Sequence, residues 1–322
     1  MLDESRPLVA VAMSGGVDSA VAAALLARDG YRIVGMTLRL WSEEHGPEAT
    51  RENRCCSLES VNDARRVCEE LGAPHYVVNV ERQFKRAIVD HFVESYLAGK
   101  TPNPCVRCNQ FIKFGALWQH AKLLGATMLA TGHYARVERD PESGEAFLLR
   151  AVDRRKDQSY ALSKVSQEQL ARSIFPLGGM TKEQTRAAAL ECDIAIAAKP
   201  ESQELCFVTH DDYRAFLRRQ SPDAPGPGLI RREGDGAPVG SHTGVTDYTV
   251  GQRKGLGIAA PAPIFVTRLD ALTNTVYVGG ADALSRREMT AVDCVFVSGR
   301  PPVVETKVAA QIRYHATEQP AT

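Results

Sequence analysis

Apolar residues fall into short runs spaced by amphipathic stretches over the first two hundred positions. "LVAVAM" (8–13) is an uninterrupted apolar run of strand length. "VDSAVAAALLARDG" follows with helical periodicity, and Gly30 stands where such a helix stops. "YRIVGMTLRLW" reads as a second strand. "SLESVNDARRVCEELGA" reads as a helix opened in the Ser57–Ser60 region and closed at Gly72, and "HYVVNV" as a third strand. "ERQFKRAIVDHFVESYLAG" predicts a helix. A loop with two prolines and two cysteines follows, then a helix over "FIKFGALWQHAKLLGA" and a fourth strand in "TMLATGHYA". Strands alternating with helices of these lengths predict an α/β fold, a doubly wound parallel sheet covered on both faces.

The rhythm changes after about residue 200. "SPDAPGPGLI" has linker composition. The runs beyond it ("GLIRREGDGAPVG", "IFVTRL", "NTVYVGG", "VFVSG", "VVETKVAAQIRYH") are short and rich in β-formers, with no helical period. The expected organisation is an α/β domain over 1–205, a small central β-rich domain over 206–280 and a C-terminal β-barrel-like domain over 281–322.

Composition narrows the function classes. The chain has 322 residues, with 39 Lys+Arg balanced by 39 Asp+Glu. No global basic field draws in nucleic acid, so a nucleic-acid partner must be held by local patches. No stretch approaches the roughly 18 uncharged apolar residues of a membrane span. The N-terminal run reads as a buried strand rather than a signal peptide, so a cytoplasmic location is expected, with no membrane partner. In a reducing compartment the eight cysteines are expected to be thiols, ligands or catalysts rather than a disulfide framework.

"SGGVDS" (14–19) lies directly between the first strand and the first helix. Its glycines permit a tight turn with exposed N–H groups, and the following helix dipole favours an anion. Ser14 and Ser19 offer hydroxyls, and Asp18 offers a metal contact or a cap. A plain strand–helix turn explains the same residues, but ligands of open α/β sheets bind at this position. "AGKT" (98–101) resembles the end of a lysine-bearing phosphate loop. The required glycine is replaced by Glu94, and prolines rather than a helix follow.

Among the cysteines, Cys68, Cys192 and Cys294 read as packing residues. Cys55 and Cys56 precede a helix and divide evenly between structural and reactive readings. Cys105 and Cys108 form a C-x-x-C beside a predicted helix N-terminus, which favours thiolates. A zinc site would require a second ligand pair that the sequence lacks. Cys206, in "KPESQELCFV", is the candidate third thiol. Three thiolates would leave one iron of a [4Fe-4S] cluster open for an exogenous sulfur. His133, in "TGHYARV", reads either as a general base or as a histidine that fixes the strand end near the nucleotide; His91 and His120 read as surface or packing residues.

"AMSGGVDSAVAAALL", "CCSLESVNDARRVCEELGAPHYVVNV", "GKTPNPCVRCNQFIKF", "ATGHYARV", "KDQSYALS", "KPESQELCF" and "YTVGQRKGLGI" occur in the order seen in bacterial tRNA-specific 2-thiouridylases. "SGGVDS" itself resembles the PP-loop of the ATP pyrophosphatase superfamily, with its adenine nucleotide alpha-hydrolase-like fold. The resemblance implies ATP- and Mg²⁺-dependent replacement of the wobble uridine 2-carbonyl oxygen by sulfur in tRNAs for Lys, Glu and Gln. It implies ATP contacts at Ala12, Met13, Ser14, Gly15, Gly16, Val17, Asp18, Ser19, Met36 and Gly132. Cys108 matches the family nucleophile and Cys206 the persulfide carrier. Asn103, Pro104 and Cys105 match the segment facing the target base. Lys156, Asp157, Gln158, Arg313 and Tyr314 match tRNA-touching segments. A cysteine desulfurase or sulfur-relay protein is implied as the sulfur donor.

Two departures from the family pattern bear on this expectation. Many members carry aspartate where this chain has Cys105, and the three-cysteine form resembles relatives proposed to hold a [4Fe-4S] cluster on Cys105, Cys108 and Cys206. Members also continue beyond "RYH", so the C-terminal barrel is expected to be incomplete or built differently. The competing expectation is a PP-loop amide or amidine synthetase acting on a small molecule, which assigns no task to the three cysteines.

Overall fold

A computed structural model describes residues 6–41, 57–200, 205–208, 212–314 and 316–322. Cys55 and Cys56 lie outside the described residues. The chain divides into two compact units: Met1–Ala87 with Cys105–Phe207 and Asp293–Thr322, and Ile88–Pro104 with Val208–Val292.

The first unit is built on a five-stranded parallel sheet. Its strands are β1 (Leu8–Ala12), β2 (Arg32–Arg39), β3 (His75–Asn79), β4 (Met128–Thr131) and the two-residue β7 (Ser173–Ile174), in the order β3-β2-β1-β4-β7. In-register parallel pairing joins Val9 to Ile33 on one side and to Met128 on the other. Val9, Ala10 and Val11 are fully buried, as expected for a central strand covered on both faces. The helix α1 (Val17–Arg28) turns an almost unbroken alanine-rich face to this sheet. Small side chains let the helix lie close over the strands. Gly30 ends the turn after α1 with φ 83°, and Ser57 caps α2 (Leu58–Glu70) by accepting from the Ser60 N–H. Gly72 follows α2 with φ 65°, and both glycine stops and the Ser57 start agree with the sequence pattern. A hairpin of β5 (Ala135–Arg139) and β6 (Ala146–Arg150) follows β4.

Two long helices contain π segments, a geometry concentrated at functional sites. α3 spans 81–97, with Lys85–Asp90 in π geometry between Glu81–Phe84 and His91–Leu97. α4 spans 104–123 and begins at Pro104–Arg107, seven residues earlier than the sequence pattern suggests. It continues as a π segment, Cys108–Leu117, and ends as Trp118–Leu123. Proline is tolerated at the first helical position because its missing N–H would have no intrahelical partner there. Cys105 and Cys108 therefore stand in the opening turns of a helix, not in a loop before it. Two short helices complete this part: α5 (Gln167–Ala171) and α6 (Lys182–Glu191), each opened by a reciprocal Ser/Thr–Gln capping box.

The second unit holds a four-stranded sheet in the order β10-β11-β8-β9, comprising β8 (Gly228–Arg232), β9 (Pro238–His242), β10 (Phe265–Asp270) and β11 (Thr275–Gly279). Ile230, Val245, Val266, Val276 and Val278 fill its core. An eight-residue helix, α7 (Tyr213–Gln220), precedes it, capped by Asp212. The sequence pattern offers no sign of α7 because only Phe216 and Leu217 on it are buried. "VFVSG" forms no strand. Among the described residues of 303–314 only β12 (Val308–Ala310) is a strand, paired with β13 (Gln319–Ala321). Among the described residues no helix is long and apolar enough to cross a membrane.

Candidate active site: a phosphate loop beside a cysteine helix

In the sheet order β3-β2-β1-β4, the connections leave β1 and β4 in opposite directions. Their carboxyl ends therefore bound the crevice where open α/β sheets take ligands. The loop from Ala12 to Ser19 fills the end of β1. Gly15 has φ 69°, and a Cβ there would stand 2.3 Å from the Ser60 carbonyl oxygen, so only glycine fits. Ser19 Oγ donates to Gly16 O (2.9 Å) and accepts from the Ser14 N–H (3.2 Å), which locks the loop. Gly16 is the N-cap of α1 and supplies no side-chain cap, leaving the first-turn amides of a twelve-residue helix directed at the crevice. Met36 is buried beside the loop, and its carbonyl accepts from the Met13 N–H at 2.9 Å. Gly132, just past β4, lies against the same turn. A Cβ there would come within 2.8 Å of the Asp18 carbonyl carbon and 2.9 Å of the Ser19 nitrogen. The structure thus brings together the residues from Ala12 to Ser19, Met36 and Gly132.

The sequence reading missed two partners of Asp18. Lys182, at the start of α6 and buried, donates to Asp18 Oδ1 at 2.7 Å. The Tyr134 hydroxyl donates to the same oxygen at 3.0 Å and stands 3.0 Å from Thr185 Oγ1. The Lys182 N–H in turn donates to Asp153, whose carboxyl is held below the usual range chiefly by that bond. A separation of 164 residues between Asp18 and Lys182 leaves no local signal; the lysine directly after the Thr181 cap is the one sequence feature that marks it. Asp18 keeps Oδ2 outside these bonds and its side chain is 33% exposed, which suits it to face a divalent cation carried by phosphates.

The cysteine segments converge on one turn of α3. Arg107, between the two cysteines, donates from Nε to the Ala87 carbonyl at 3.0 Å, and its guanidinium covers the Phe111 ring at 4.8 Å. That carbonyl belongs to the π segment, whose widened turn alters the usual helical pairing. Phe207, next to Cys206, packs edge-on against Phe84 with ring centroids 5.9 Å apart. Phe84 and Ala87 are one turn apart, so the Cys108 helix and the Cys206 turn share an anchor. Cys108 and Cys206 are half-buried and Cys105 is exposed, with none of the three in a disulfide. Cys68 is buried and its thiol is pushed up to about 11, mainly by burial, in keeping with a packing role.

Among the described residues no group of three or more His, Cys, Asp or Glu side chains could hold a metal ion. Cys105, Cys108 and Cys206, expected as a cluster ligand set, do not form one in this structure. Cys105 instead neighbours Tyr314. Burial raises the Tyr314 phenol, and the Asp157 carboxylate and Cys105 add to that shift. Tyr314 also stacks obliquely on Tyr160 at 6.1 Å. Asp157 accepts from Ala151 N–H and from Ser159 Oγ, and Gln158 Oε1 accepts from the Tyr134 N–H. Asn109 Nδ2 donates to Ala161 O at 2.9 Å, which ties the 156–162 segment to the cysteine helix. Cys105, Asp157, Gln158 and Tyr314 therefore gather near the site. Lys156 and Arg313 accompany them in sequence, while Asn103 and Pro104 lead into α4.

Residues 7–210 match the tRNA methyl transferase HUP domain, and residues 214–280 match the tRNA methyl transferase PRC-barrel domain. The tRNA-specific 2-thiouridylase MnmA of Heliobacterium modesticaldum is 47% identical over 97% of this chain and 80% of its own length. The protein of that name from Moorella thermoacetica is 48% identical, covering 97% and 87%. The one from Geobacter metallireducens is 46% identical, covering 100% and 87%.

Proposed function

The chain belongs to the tRNA-specific 2-thiouridylase family, and from that premise we propose that it adenylates the wobble uridine of tRNAs for Lys, Glu and Gln and exchanges its 2-oxygen for sulfur. The chain is a sulfurtransferase acting on tRNA. The observation that carries the finer reading is the shared anchor on α3, which holds the Cys108 helix and the Cys206 turn in the unit that also bears the phosphate loop.

ATP lies across the carboxyl ends of β1 and β4, its phosphates on the α1 amides. Asp18 would face a Mg²⁺ carried with the ATP phosphates, which would supply neutralising charge for the departing pyrophosphate. A base whose carbon undergoes attack must leave its stack and enter the site. The uridine 2-carbonyl oxygen attacks the α-phosphorus, the bond to the β-phosphate oxygen breaks, and pyrophosphate leaves with the bonding pair. Adenylation makes that oxygen part of a good leaving group. The terminal sulfur of a Cys206 persulfide attacks C2, and AMP departs with the C–O pair. Cys108, as thiolate, attacks Cys206 Sγ and releases the sulfur on the nucleoside. The resulting Cys108–Cys206 disulfide is reduced by an external dithiol. A cysteine desulfurase or sulfur-relay protein reloads Cys206 in the cytoplasm. Lys156, Arg313 and Tyr314 contact the tRNA, with residues 281–322 forming part of its cradle.

The test incubates the full chain with ATP, Mg²⁺, tRNA and a persulfide donor, followed by nucleoside mass spectrometry. The expected product is 2-thiouridine, with one AMP per sulfur inserted. AMP release indifferent to tRNA, with no thiolated nucleoside, would overturn the reading in favour of a small-molecule amide or amidine synthetase.

A further inference from the structure

Lys113 lies on α4, five residues beyond Cys108. In a π segment, where hydrogen bonds run from i to i+5, that spacing carries it about one turn along the helix. Its ammonium reaches the end of β4, with Nζ 3.4 Å from Nε2 of His133. The His133 imidazole is 8% exposed and lies between the rings of Phe114 and Phe175, at centroid distances of 6.4 and 6.1 Å. Its Nδ1 is 2.7 Å from Thr131 Oγ1. An ammonium has only donors, so the nitrogen facing Lys113 must be the bare acceptor. That requirement assigns the proton to Nδ1, which donates to Thr131. Burial, and then the Lys113 charge, keep the ring neutral by holding its pKa well below the ordinary value. A neutral imidazole fixed on three sides thus holds a half-buried lysine in place.

Two further facts give that lysine a task. Among the described residues no carboxylate stands within ion-pair distance of Lys113, whereas Lys182, the other lysine at this crevice, is neutralised by Asp18. His133 directly follows Gly132, the residue that lies against the first turn of α1. Among the described residues an uncompensated cation therefore stands between the phosphate loop and the Cys108 turn of α4. The β- and γ-phosphates leave as pyrophosphate. The α-phosphate alone stays joined to the uridine while sulfur attacks, so it must face both the loop and the cysteine helix.

Resting on the function proposed above, we infer that Lys113 binds the α-phosphate of the adenylated uridine, and that His133 is its positioning residue. Negative charge accumulates on this phosphate as the C2–O bond breaks and AMP departs with the bonding pair. A fixed ammonium stabilises that change more than it stabilises bound ATP.

The experiment measures tRNA-dependent AMP release by the full chain, using transcripts with uridine at the wobble position, ATP and a persulfide donor. Lys113→Met should lower kcat roughly 100-fold while the KM for ATP changes by no more than about threefold. Lys113→Arg should recover most of that loss. His133→Phe, which keeps a ring in the aromatic pocket but offers no acceptor, should cost roughly tenfold in kcat. All three should unfold within a few degrees of the unaltered protein. A Lys113→Met kcat within about threefold of the unaltered protein overturns the inference, and so does a loss confined to KM that arginine does not restore. If the unaltered protein releases AMP without tRNA and makes no 2-thiouridine, the function itself is wrong and the inference falls with it. That result is separable from the other two.

Discussion

The Lys182 ammonium donates to Asp18 Oδ1 at 2.7 Å, joining the start of α6 to the first turn of α1 across 164 residues of chain. The two partners are unequally shielded, since the lysine side chain is 8% exposed and the aspartate 33%. This asymmetry sets the order of two variants. Asp18→Asn leaves a buried ammonium without its counter-charge and should cost about 3 kcal/mol of stability. Lys182→Met removes the buried charge and lets the carboxylate rehydrate, at a cost of about 1 kcal/mol. Urea unfolding of both variants and of the double variant is the check. Equal losses would mean that the pair is not buried as described.

Gly132 and Gly15 should resist alanine while Gly16 accepts it, as far as folding is concerned. A Cβ at Gly132 meets the α1 backbone at 2.8 Å, and one at Gly15 meets the Ser60 backbone at 2.3 Å with φ already at 69°. At Gly16 the nearest atom is Ser14 Oγ at 3.4 Å, an ordinary contact. Gly132→Ala and Gly15→Ala should each cost about 2 kcal/mol, and Gly16→Ala less than about 0.5 kcal/mol. Gly132→Ala should also raise the KM for ATP, because it displaces the turn that holds the phosphates. Thermal unfolding and ATP titration of the three variants read these outcomes. An unchanged midpoint in Gly132→Ala would contradict the close packing of β4 on α1.

The unfolded chain takes up a proton at His133 near pH 6.5, whereas burial keeps the folded chain from doing so until much lower pH. His75 and His242 are shifted in the same direction, again chiefly by burial. Below pH 6.5 the unfolded state therefore binds more protons. Stability is full above that pH and is lost as pH falls towards the folded values, at up to about 1.4 kcal/mol per unit for each histidine. Unfolding free energies measured between pH 8 and pH 5 should decline on the acid side. His133→Phe should flatten the slope but leave the contribution of the other two. A slope unaffected by that change would mean His133 ionises in the folded state.

The alternation of apolar runs made the parallel sheet legible because buried strands leave long unbroken hydrophobic signatures. The phosphate loop was legible because glycine, serine and aspartate between a strand and a helix have few other uses. What stayed hidden depends on distant contacts. Nothing near Asp18 points to Lys182, and nothing near Lys113 points to His133. The start of α4 was obscured by Pro102 and Pro104, which suit a loop and a helix start equally. "VFVSG" has the composition of a strand, yet composition alone does not supply a pairing partner.

Cys108→Ser and Cys206→Ser should separate the two halves of the reaction. In the proposed mechanism neither thiol holds ATP on the α1 amides or brings the uridine oxygen to the α-phosphorus. Both variants should therefore keep at least about a tenth of the tRNA-dependent pyrophosphate release in a single turnover, while 2-thiouridine falls below detection. Quench-flow measurement of pyrophosphate alongside nucleoside mass spectrometry reads both halves. Loss of both together would place a thiol in the adenylation step.

Cys105 differs from the other two candidate thiols in being exposed. It is exposed beside Tyr314 and Asp157 and does not join Cys108 and Cys206 in a metal-holding group among the described residues. We propose for it a contact with tRNA rather than ligation of a shared cluster. Cys105→Asp should therefore retain thiolation within about threefold, with the same activity in anaerobically purified protein whether or not iron and sulfide are present. The added carboxylate should raise the Tyr314 phenol further, through repulsion from a second negative neighbour. Iron, acid-labile sulfide and 2-thiouridine are measured on the same preparations. If iron and activity vanish together in Cys105→Asp, the three thiols converge on a cluster in the working enzyme and the persulfide route is wrong.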